Sequence, residues 1–317
     1  MIFGAMPPLD LAALRGRLPA APLTRFAPSP TGYLHLGHVA NAIWVWGVAR
    51  ALGGRVLLRI EDHDRGRSRS GYEGAALEDL EWLGLVPDTG LPEELGRGAS
   101  PFRQSDCAEI YAAALDRLRR NERVYACDCS RRDIALEAGD VFDQETRYPG
   151  RCRERGLAEK EGLGVRVVLR EGPVTFTDVR LGEMTHAPAN QCGDLLLRDR
   201  TGNWTYQFAV VVDDLRHEVD LVIRGEDLLS STGRQIMLGG MLGRERPPVF
   251  LHHPLIRKEN GAKLSKSSGD SGVRELRAAG ATPEAVLGQA AWHTGLLARS
   301  KPLGPEDLPG LFERVSP

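Results

Sequence analysis

Hydrophobic and polar positions along the chain predict short buried strands separated by helices. The segment "TRFAPSPTG" predicts a strand and a tight turn, and apolar residues at helical spacing follow from about Leu36 to Leu52. "RVLLRIED" then predicts a buried strand with acidic residues at its carboxyl end, and residues 73–84 predict a helix that ends at a glycine. This alternation is typical of an α/β domain with a parallel sheet.

The pattern changes between residues 101 and 190. A predicted helix, "AEIYAAALDRLRRN", leads into a cluster of cysteines, and "VRVVLREGPVTFTDVRLG" predicts strands separated by a Gly-Pro turn. The earlier pattern resumes with two predicted apolar strands that end in acidic residues, one of them at Asp213 and Asp214, and with a helix over "STGRQIMLGGML". We therefore expect residues 101–190 to be an insertion with its own small fold.

Composition and charge narrow the class of protein. The 317 residues carry a formal net charge of -2, with 42% hydrophobic and 26% charged residues, which is typical of a soluble globular protein. A polyanion would therefore have to bind a local basic face. No window approaches the roughly 20 apolar residues that cross a bilayer, and residues 1–22 lack the pattern of a secretory signal. We expect a cytoplasmic protein without a membrane partner.

Three of the five cysteines, Cys127, Cys129 and Cys152, lie close together in the sequence. So few cysteines, and an odd number, predict a metal site in a reducing compartment rather than a disulfide framework. Three thiolates suit zinc, and the residues alone leave the fourth ligand open, because no histidine lies near the cluster. A group of unligated cysteines is the alternative. Cys107 and Cys192 are expected to be ordinary buried residues.

The turn in "APSPTGYLHLGH" predicts a phosphate site. Prolines and glycines force a tight turn before a helix, so backbone N–H groups and the positive end of a helix dipole converge on one point. His35 and His38 project from nearly the same side of the first helical turn and can donate hydrogen bonds to phosphate oxygens. The alternative is that both are surface histidines or satisfied core histidines.

A basic segment near the end of the chain, "PLIRKENGAKLSKSSG", is either a solvated loop or a mobile clamp for an anionic group. "HLGH" at His35 to His38 and "KLSKS" at Lys263 to Ser267 resemble, in this order, the signatures "HIGH" and "KMSKS" of class I aminoacyl-tRNA synthetases. The resemblance implies that the histidines, Lys263, Lys266 and Ser267 bind ATP. It also implies that the two lysines stabilise the departing phosphates, with Mg2+ accompanying the nucleotide.

Within that class, "RFAPSPTG", "RIED", "VVDD" and "RGEDLL" are most similar to the bacterial glutamyl branch. This resemblance implies that Arg25, Ser29, Tyr206 and Arg224 bind the carboxylates of L-glutamate and that Glu61 binds its ammonium group. The chemistry agrees, because carboxylates need cationic or hydroxyl donors and an ammonium group needs an anion. The structural alternatives are surface ion pairs for Arg25 and Arg224. Tyr206 could instead be a core aromatic residue, and Glu61 a charge at the end of a strand. 

The two aspartates of "VVDD", Asp213 and Asp214, are expected to contact the nucleotide or the tRNA end, or only to cap a strand.

The cysteine spacing is similar to that of one branch of this family, the glutamyl-Q tRNA(Asp) synthetases. It implies that Tyr148 completes a zinc site with Cys127, Cys129 and Cys152, and that this zinc is structural, since four protein ligands leave no open position. About 50 residues follow Ser267, so we expect no helical anticodon-binding region.

The resemblance covers nearly everything from Leu23 to Leu297. It implies a class I synthetase fold of the α/β class, in which a zinc-containing insertion splits a Rossmann-like parallel sheet and a short helical segment follows. The expected parts are an N-terminal extension (1–22), the first half of the catalytic domain (23–100), the inserted subdomain with the zinc site (101–190), the second half of the catalytic domain (191–250), and the lysine loop with a short helical segment (251–317).

Three functions remain open. The first, implied by the resemblance, is activation of L-glutamate with ATP in the absence of tRNA, followed by transfer to the queuosine base in the anticodon of tRNA(Asp). The second is a glutamyl-tRNA synthetase catalytic body that charges a tRNA 3′ end. The third is an inactive, zinc-stabilised RNA-binding paralogue. We expect a monomer with one structural Zn2+ per chain, and Mg2+ bound with ATP.

Overall fold

The computed structural model of the protein describes residues 9–96, 98–138, 146–256 and 272–313. The helices are α1 (Leu11–Arg15), α2 (Leu36–Ala51), α3 (Ser70–Trp82), α4 (Pro92–Gly96), α5 (Ala108–Asn121), α6 (Arg131–Ala138), α7 (Pro188–Gln191), α8 (Tyr206–Arg216), α9 (Thr232–Met241), α10 (Val273–Ala278) and α11 (Pro283–His293). The strands are β1 (Leu23–Phe26), β2 (Arg55–Leu58), β3 (Val124–Cys127), β4 (Gly164–Val167), β5 (Val174–Asp178), β6 (Gly182–His186), β7 (Leu195–Arg198), β8 (Leu221–Gly225) and β9 (Val249–His253). Short 3-10 turns cover Gln104–Asp106, Glu226–Ser231, Pro305–Asp307 and Pro309–Leu311.

The strands of the described residues form mixed sheets, and the expectation of one parallel sheet is wrong in this respect. β1 and β2 are parallel, and β8, β9 and β5 are parallel in a second sheet with the order β6-β5-β9-β8. β6 is antiparallel, because it follows β5 after a short turn, and a parallel partner would need a long crossover. Asp220, just before β8, exchanges two hydrogen bonds with Leu23, the first residue of β1, so the amino ends of β1 and β8 lie side by side.

A further sheet is antiparallel, with the order β3-β4-β7, and it joins two strands of the expected insertion to one strand that follows it. β3 ends at Cys127, so this sheet positions the first residue of the cysteine cluster. Pairing of β4 with β7 crosses residue 190, and pairing of β5 with β9 joins part of the inserted block to the sheet of β8. The division of the chain into the five expected parts stays a prediction.

Residues 206–216 form helix α8, so the strand predicted to end at Asp213 and Asp214 is wrong. Every residue from Phe208 to Asp214 is buried, so apolar and polar positions along this segment repeat with neither the period of a helix nor that of a strand. The helix begins after Thr205, whose extended backbone accepts hydrogen bonds from the N–H groups of Phe208 and Ala209.

Helix α2 lies at the centre of the main core. It is buried along most of its length, with Trp44 only 1% exposed, as expected for a helix that is apolar on all sides. Leu11 and Leu14 of α1, within the expected N-terminal extension, belong to the same core. In the part of the chain that the structure describes, no helix is long and apolar enough to span a membrane.

Candidate active site and cysteine cluster

A cavity of about 750 Å3 opens where the carboxyl ends of β1 and β8 meet the amino end of α2. Such a strand-end crevice is where open α/β sheets bind ligands. Seven of the predicted site residues line it: Arg25, Ser29, His35, His38, Glu61, Tyr206 and Arg224. The remaining nucleotide candidates, Lys263, Lys266 and Ser267, lie outside the described residues.

The two histidines form the first turn of α2. His35 is its N-cap residue, and its Nδ1 accepts the backbone N–H of Gly37 at 3.0 Å. The backbone N–H of His35 donates to Nδ1 of His38 at 3.1 Å, and the ring centroids are 4.0 Å apart. Because each Nδ1 accepts an N–H, the proton of each neutral ring lies on Nε2. The histidines are therefore hydrogen-bond donors at the positive end of a helix, which suits an anionic ligand.

Gly37, between the histidines, is constrained by space. A Cβ atom there would lie 2.8 Å from Cε1 of His35, closer than real side chains come. A glycine at this position therefore lets the imidazole of His35 lie against the helix and cap it.

A line of buried charges joins two sides of the cavity. Arg25 Nε lies 3.2 and 3.3 Å from the two oxygens of Asp214, and Arg59 Nη1 donates to Oδ1 of Asp214 at 2.8 Å. Arg59 Nη2 donates to Oε1 of Glu61 at 2.8 Å. Burial raises the pKa of Asp214, but Arg25 and Arg59 outweigh it and lower the pKa overall, so the carboxylate stays charged.

Asp213 has a structural role, as one of the alternatives predicted, but it does not cap a strand, and it has no exposed surface with which to contact the nucleotide or the tRNA end. It is fully buried inside α8. Its carboxylate accepts hydrogen bonds from Tyr111 Oη at 2.9 Å, Gln104 Nε2 at 2.7 Å and Arg216 Nε at 2.8 Å. Asp214 likewise binds arginines within the protein rather than capping a strand.

Arg224 is a buried cation of a different kind. Only 3% of it is exposed, and its guanidinium donates to His252 Nε2 at 3.1 Å, Gln235 Oε1 at 2.6 Å and Thr232 Oγ1 at 2.9 Å. Burial lowers the pKa of His252, so this ring is neutral. These three hydrogen-bond partners of Arg224 are thus uncharged, and burial lowers the pKa of Arg224 even though Asp214 acts in the opposite direction. An anion in the cavity would supply the missing negative charge.

The ring of His252 is held by Asp178. Nδ1 of His252 lies 2.7 Å from Oδ2 of Asp178, and both side chains are fully buried. Nδ1–H of the ring donates a hydrogen bond to this carboxylate, so Nε2 carries no proton and accepts the hydrogen bond from Arg224. Neither residue was predicted from the sequence, because each acts through another side chain and belongs to no motif.

Tyr206 and Ser29 add neutral donors to the cavity wall. Tyr206 is the first residue of α8, and burial raises the pKa of its hydroxyl, so the phenol remains protonated and able to donate a hydrogen bond. Ser29 lies in the Pro-rich turn between β1 and α2. The cavity thus combines cations, hydroxyl donors and two carboxylates, Glu61 and Asp227, and these include the kinds of group that an amino acid with two carboxylates requires.

The cysteine cluster lies within residues 127–152, and the structure brings all four predicted ligands together. The Sγ atoms of Cys127, Cys129 and Cys152 lie within 4.8 Å of one another, with 3.5 Å between those of Cys129 and Cys152. Tyr148 Oη lies 3.5 Å from Sγ of Cys127. Tetrahedral zinc with Zn–S bonds of about 2.3 Å places its sulfur ligands about 3.8 Å apart, so these residues fit the metal.

The surroundings of the cluster shift the pKa values of its donor groups. Burial raises the pKa of Tyr148, and burial together with Cys152 raises the pKa of Cys129 to about 12. A divalent cation would hold such groups deprotonated. Burial raises the pKa of Cys127, but hydrogen bonds with Tyr148 and Arg166 outweigh it and lower the pKa overall. Arg166 Nε lies 3.4 Å from Sγ of Cys127, and its guanidinium lies 3.7 Å above the ring of Tyr148.

Comparison with known proteins agrees with this geometry. The family model "tRNA synthetases class I (E and Q), catalytic domain" matches residues 23–293. The chain is 41% identical over 299 residues to the glutamyl-Q tRNA(Asp) synthetase of Symbiobacterium thermophilum, covering 91% of each protein. It is 42% identical over 275 residues to glutamate–tRNA ligase 2 of Syntrophus aciditrophicus, covering 84% of this chain and 56% of that protein.

A solved structure agrees with the fold. Glutamate-tRNA synthetase from Elizabethkingia anophelis superposes with a TM-score of 0.73 and 27% identity, covering 93% of this chain and 66% of that one. The chain therefore spans a little over half to two thirds of these two longer proteins.

Proposed function

This chain belongs to the class I tRNA synthetase family for glutamate and glutamine, and from that premise we propose that its cavity activates L-glutamate with ATP without needing tRNA. We further propose that it transfers the glutamyl group to the queuosine base of tRNA(Asp). The Symbiobacterium thermophilum relative, which matches over nine tenths of both chains, is named glutamyl-Q tRNA(Asp) synthetase, and this supports the second step. At the coarser level, the chain is a ligase of the aminoacyl-tRNA synthetase type.

The environment of Arg224 carries the proposal for glutamate. A buried guanidinium without a charged partner costs several kcal/mol of desolvation, at an order-of-magnitude estimate. A carboxylate can offset that cost by accepting two parallel N–H bonds from a guanidinium. Because Arg224 lines the cavity and its described partners are uncharged, a ligand carboxylate is its natural counterion.

The charges of the cavity wall also favour glutamate over glutamine. Arg25, Arg67 and Arg224 line the cavity together with Glu61 and Asp227, so its wall carries one more cation than carboxylates. L-glutamate has two carboxylates and one ammonium group, and thus one net negative charge. Glutamine has no net charge and would leave Arg224 uncompensated, which supports selection against it.

The proposed reaction has two steps. A carboxylate oxygen of glutamate attacks the α-phosphorus of ATP, and the bond from this phosphorus to the β-phosphate oxygen breaks, which gives glutamyl-adenylate and pyrophosphate. A queuosine hydroxyl then attacks the activated carbonyl, forming an ester and releasing AMP. We place the Nε2–H donors of His35 and His38 at the phosphate oxygens, with Glu61 at the substrate ammonium group.

The remaining nucleotide contacts rest on the signature motif. Lys263 and Lys266, with Ser267, are proposed to stabilise the leaving pyrophosphate. Mg2+ bound to the phosphates would supply further positive charge.

We also propose one structural Zn2+ per chain, held by Cys127, Cys129, Tyr148 and Cys152. The distances among these donor atoms support it, as do the nearby N–H groups of Arg166 that balance thiolate charge. Four protein ligands would tie β3 to the segment around Cys152 and leave no open position for a substrate.

A transfer assay tests the queuosine step. The purified chain is incubated with ATP, radiolabelled L-glutamate and tRNA(Asp) with or without queuosine, and the product is mapped by nuclease digestion and base treatment. We expect a base-labile label in the anticodon fragment of queuosine-containing tRNA only, including tRNA trimmed of its 3′-terminal adenosine. Equal labelling of tRNA without queuosine, or label at the 3′ end, would instead identify a glutamyl-tRNA synthetase.

A further inference from the structure

We infer that Arg59 is a positioning residue of the glutamate site, which fixes the separation between the anchor for the ammonium group and an anchor for a carboxylate. Glu61 and Arg25 are these two anchors under the proposed function, on which this inference rests. Arg59 belongs to the segment between β2 and the cavity, and it is 0% exposed. It does not line the cavity itself, so it acts through its neighbours.

The contacts form an unbroken line from one anchor to the other. Arg59 Nη2 donates to Glu61 at 2.8 Å, and Arg59 Nη1 donates to Asp214 at 2.8 Å. The two oxygens of Asp214 then hold Arg25 Nε at 3.2 and 3.3 Å. Each link is a charge-assisted hydrogen bond between buried groups, the kind of contact that fixes direction as well as distance.

A guanidinium is the group that this position requires. Glu61 and Asp214 carry like charges and would repel each other without a cation between them, and Asp213 adds a third carboxylate at 3.7 Å from Arg59 Nε. The planar guanidinium offers separate N–H groups to both carboxylates at fixed angles. A lysine ammonium is a point charge on a flexible stem, so it preserves the charge but not the spacing.

The chain offers a matched control in Arg216. It also pairs with Asp213, through Nε at 2.8 Å, but its other partners are the backbone oxygen of Pro101 and the thiol of Cys107. Arg216 therefore shares the buried charge cluster with Arg59 and has no hydrogen bond to Glu61, Asp214 or Arg25 within the described residues. A purely structural role for Arg59 predicts that the two arginines behave alike.

The test is ATP–pyrophosphate exchange with the full chain, measured over ranges of glutamate and of ATP. We expect Arg59→Lys to raise KM for glutamate at least tenfold, because small displacements of substrate anchors are costly, and to change KM for ATP less than twofold. Arg216→Lys should change both constants less than twofold. Equal effects of the two substitutions on KM for glutamate, or no effect of Arg59→Lys, would overturn the inference.

A second variant covers the case in which Arg59→Lys does not fold, as judged by thermal denaturation. Asp214→Asn breaks the same line on the Arg25 side and leaves the contact between Arg59 and Glu61 intact. The inference predicts the same glutamate-selective rise in KM, and an unchanged KM would overturn it. A folded wild-type chain without glutamate-dependent exchange would contradict the proposed function itself, which distinguishes the two failures.

Discussion

Two buried arginines allow a direct test of how the site is built. Arg59 lies among three carboxylates, whereas the hydrogen-bond partners of Arg224 in the described chain are uncharged. Each is replaced by methionine, which removes the charge and keeps a comparable length. Loss of one partner from a buried ion pair costs about 3–5 kcal/mol, because it leaves an uncompensated charge. We therefore expect Arg59→Met to lower the free energy of unfolding by about that amount.

Arg224→Met should behave differently without ligand. It removes three hydrogen bonds worth about 1 kcal/mol each, but it also removes a desolvated cation that costs several kcal/mol at an order-of-magnitude estimate. These effects nearly cancel, so we expect the free energy of unfolding to change by no more than about 1 kcal/mol. The two variants should then differ by at least about 2 kcal/mol in the free energy of unfolding, and by roughly 4–8 °C or more in Tm, at about 2–4 °C per kcal/mol.

Glutamate provides the second half of the test. A ligand at about 100 times its Kd stabilises the native state by about 2.7 kcal/mol. Loss of a charge-assisted contact of about 3 kcal/mol weakens binding roughly a hundredfold, so the same glutamate concentration would stabilise Arg224→Met by only about 0.4 kcal/mol. Thermal denaturation with and without glutamate measures both quantities. If Arg224→Met destabilises the ligand-free protein as much as Arg59→Met, or retains the full glutamate shift, the assignment of Arg224 as a ligand counterion is wrong.

Three further predictions concern other parts of the molecule. Burial raises the pKa of Asp79 from the ordinary 3.8 to about 6, so the protonated side chain stabilises the fold at low pH and this contribution is lost as pH rises from about 4 to 6. Asp79→Asn should therefore raise Tm at pH 7.5 but not at pH 4, and equal effects on Tm at both pH values would contradict this. Elemental analysis should find one zinc per chain, and Cys152→Ser or a strong chelator should lower Tm. A metal-free chain with an unchanged Tm would exclude a structural zinc site. Gly37→Ala should lower the rate of ATP–pyrophosphate exchange about tenfold without changing KM for glutamate, because the new Cβ displaces the ring of His35. An unaltered exchange rate would contradict the role of that ring.

The helices of the fold were predictable where one face is apolar or where clear signals bound the segment. The structure confirms the helix predicted from Leu36, which ends within one residue of the predicted end, and the helix over 108–121. The segment containing Asp213 was predicted wrongly, because it is buried on all sides and its valines favour a strand by local preference. The order of strands in the mixed sheets depends on contacts between distant residues, which no local pattern encodes.

The candidate site was predictable where residues belong to a recognisable motif. The structure places His35, His38 and the five predicted glutamate residues around one cavity, whereas Lys263, Lys266 and Ser267 lie outside the described residues. Residues that act through others, such as Asp178 and His252, belong to no motif. Arg59 did leave a signal: it is a charged residue in the predicted strand "RVLLRIED", two positions before Glu61, and a strand would place the two on the same side.

The central claim is that this cavity activates glutamate by itself, and ATP–pyrophosphate exchange in the absence of tRNA tests it most directly. The assay compares L-glutamate with L-glutamine on the folded, zinc-supplemented chain. The account predicts rapid exchange with glutamate and little with glutamine. No exchange, exchange only after tRNA is added, or equal exchange with glutamine would contradict it.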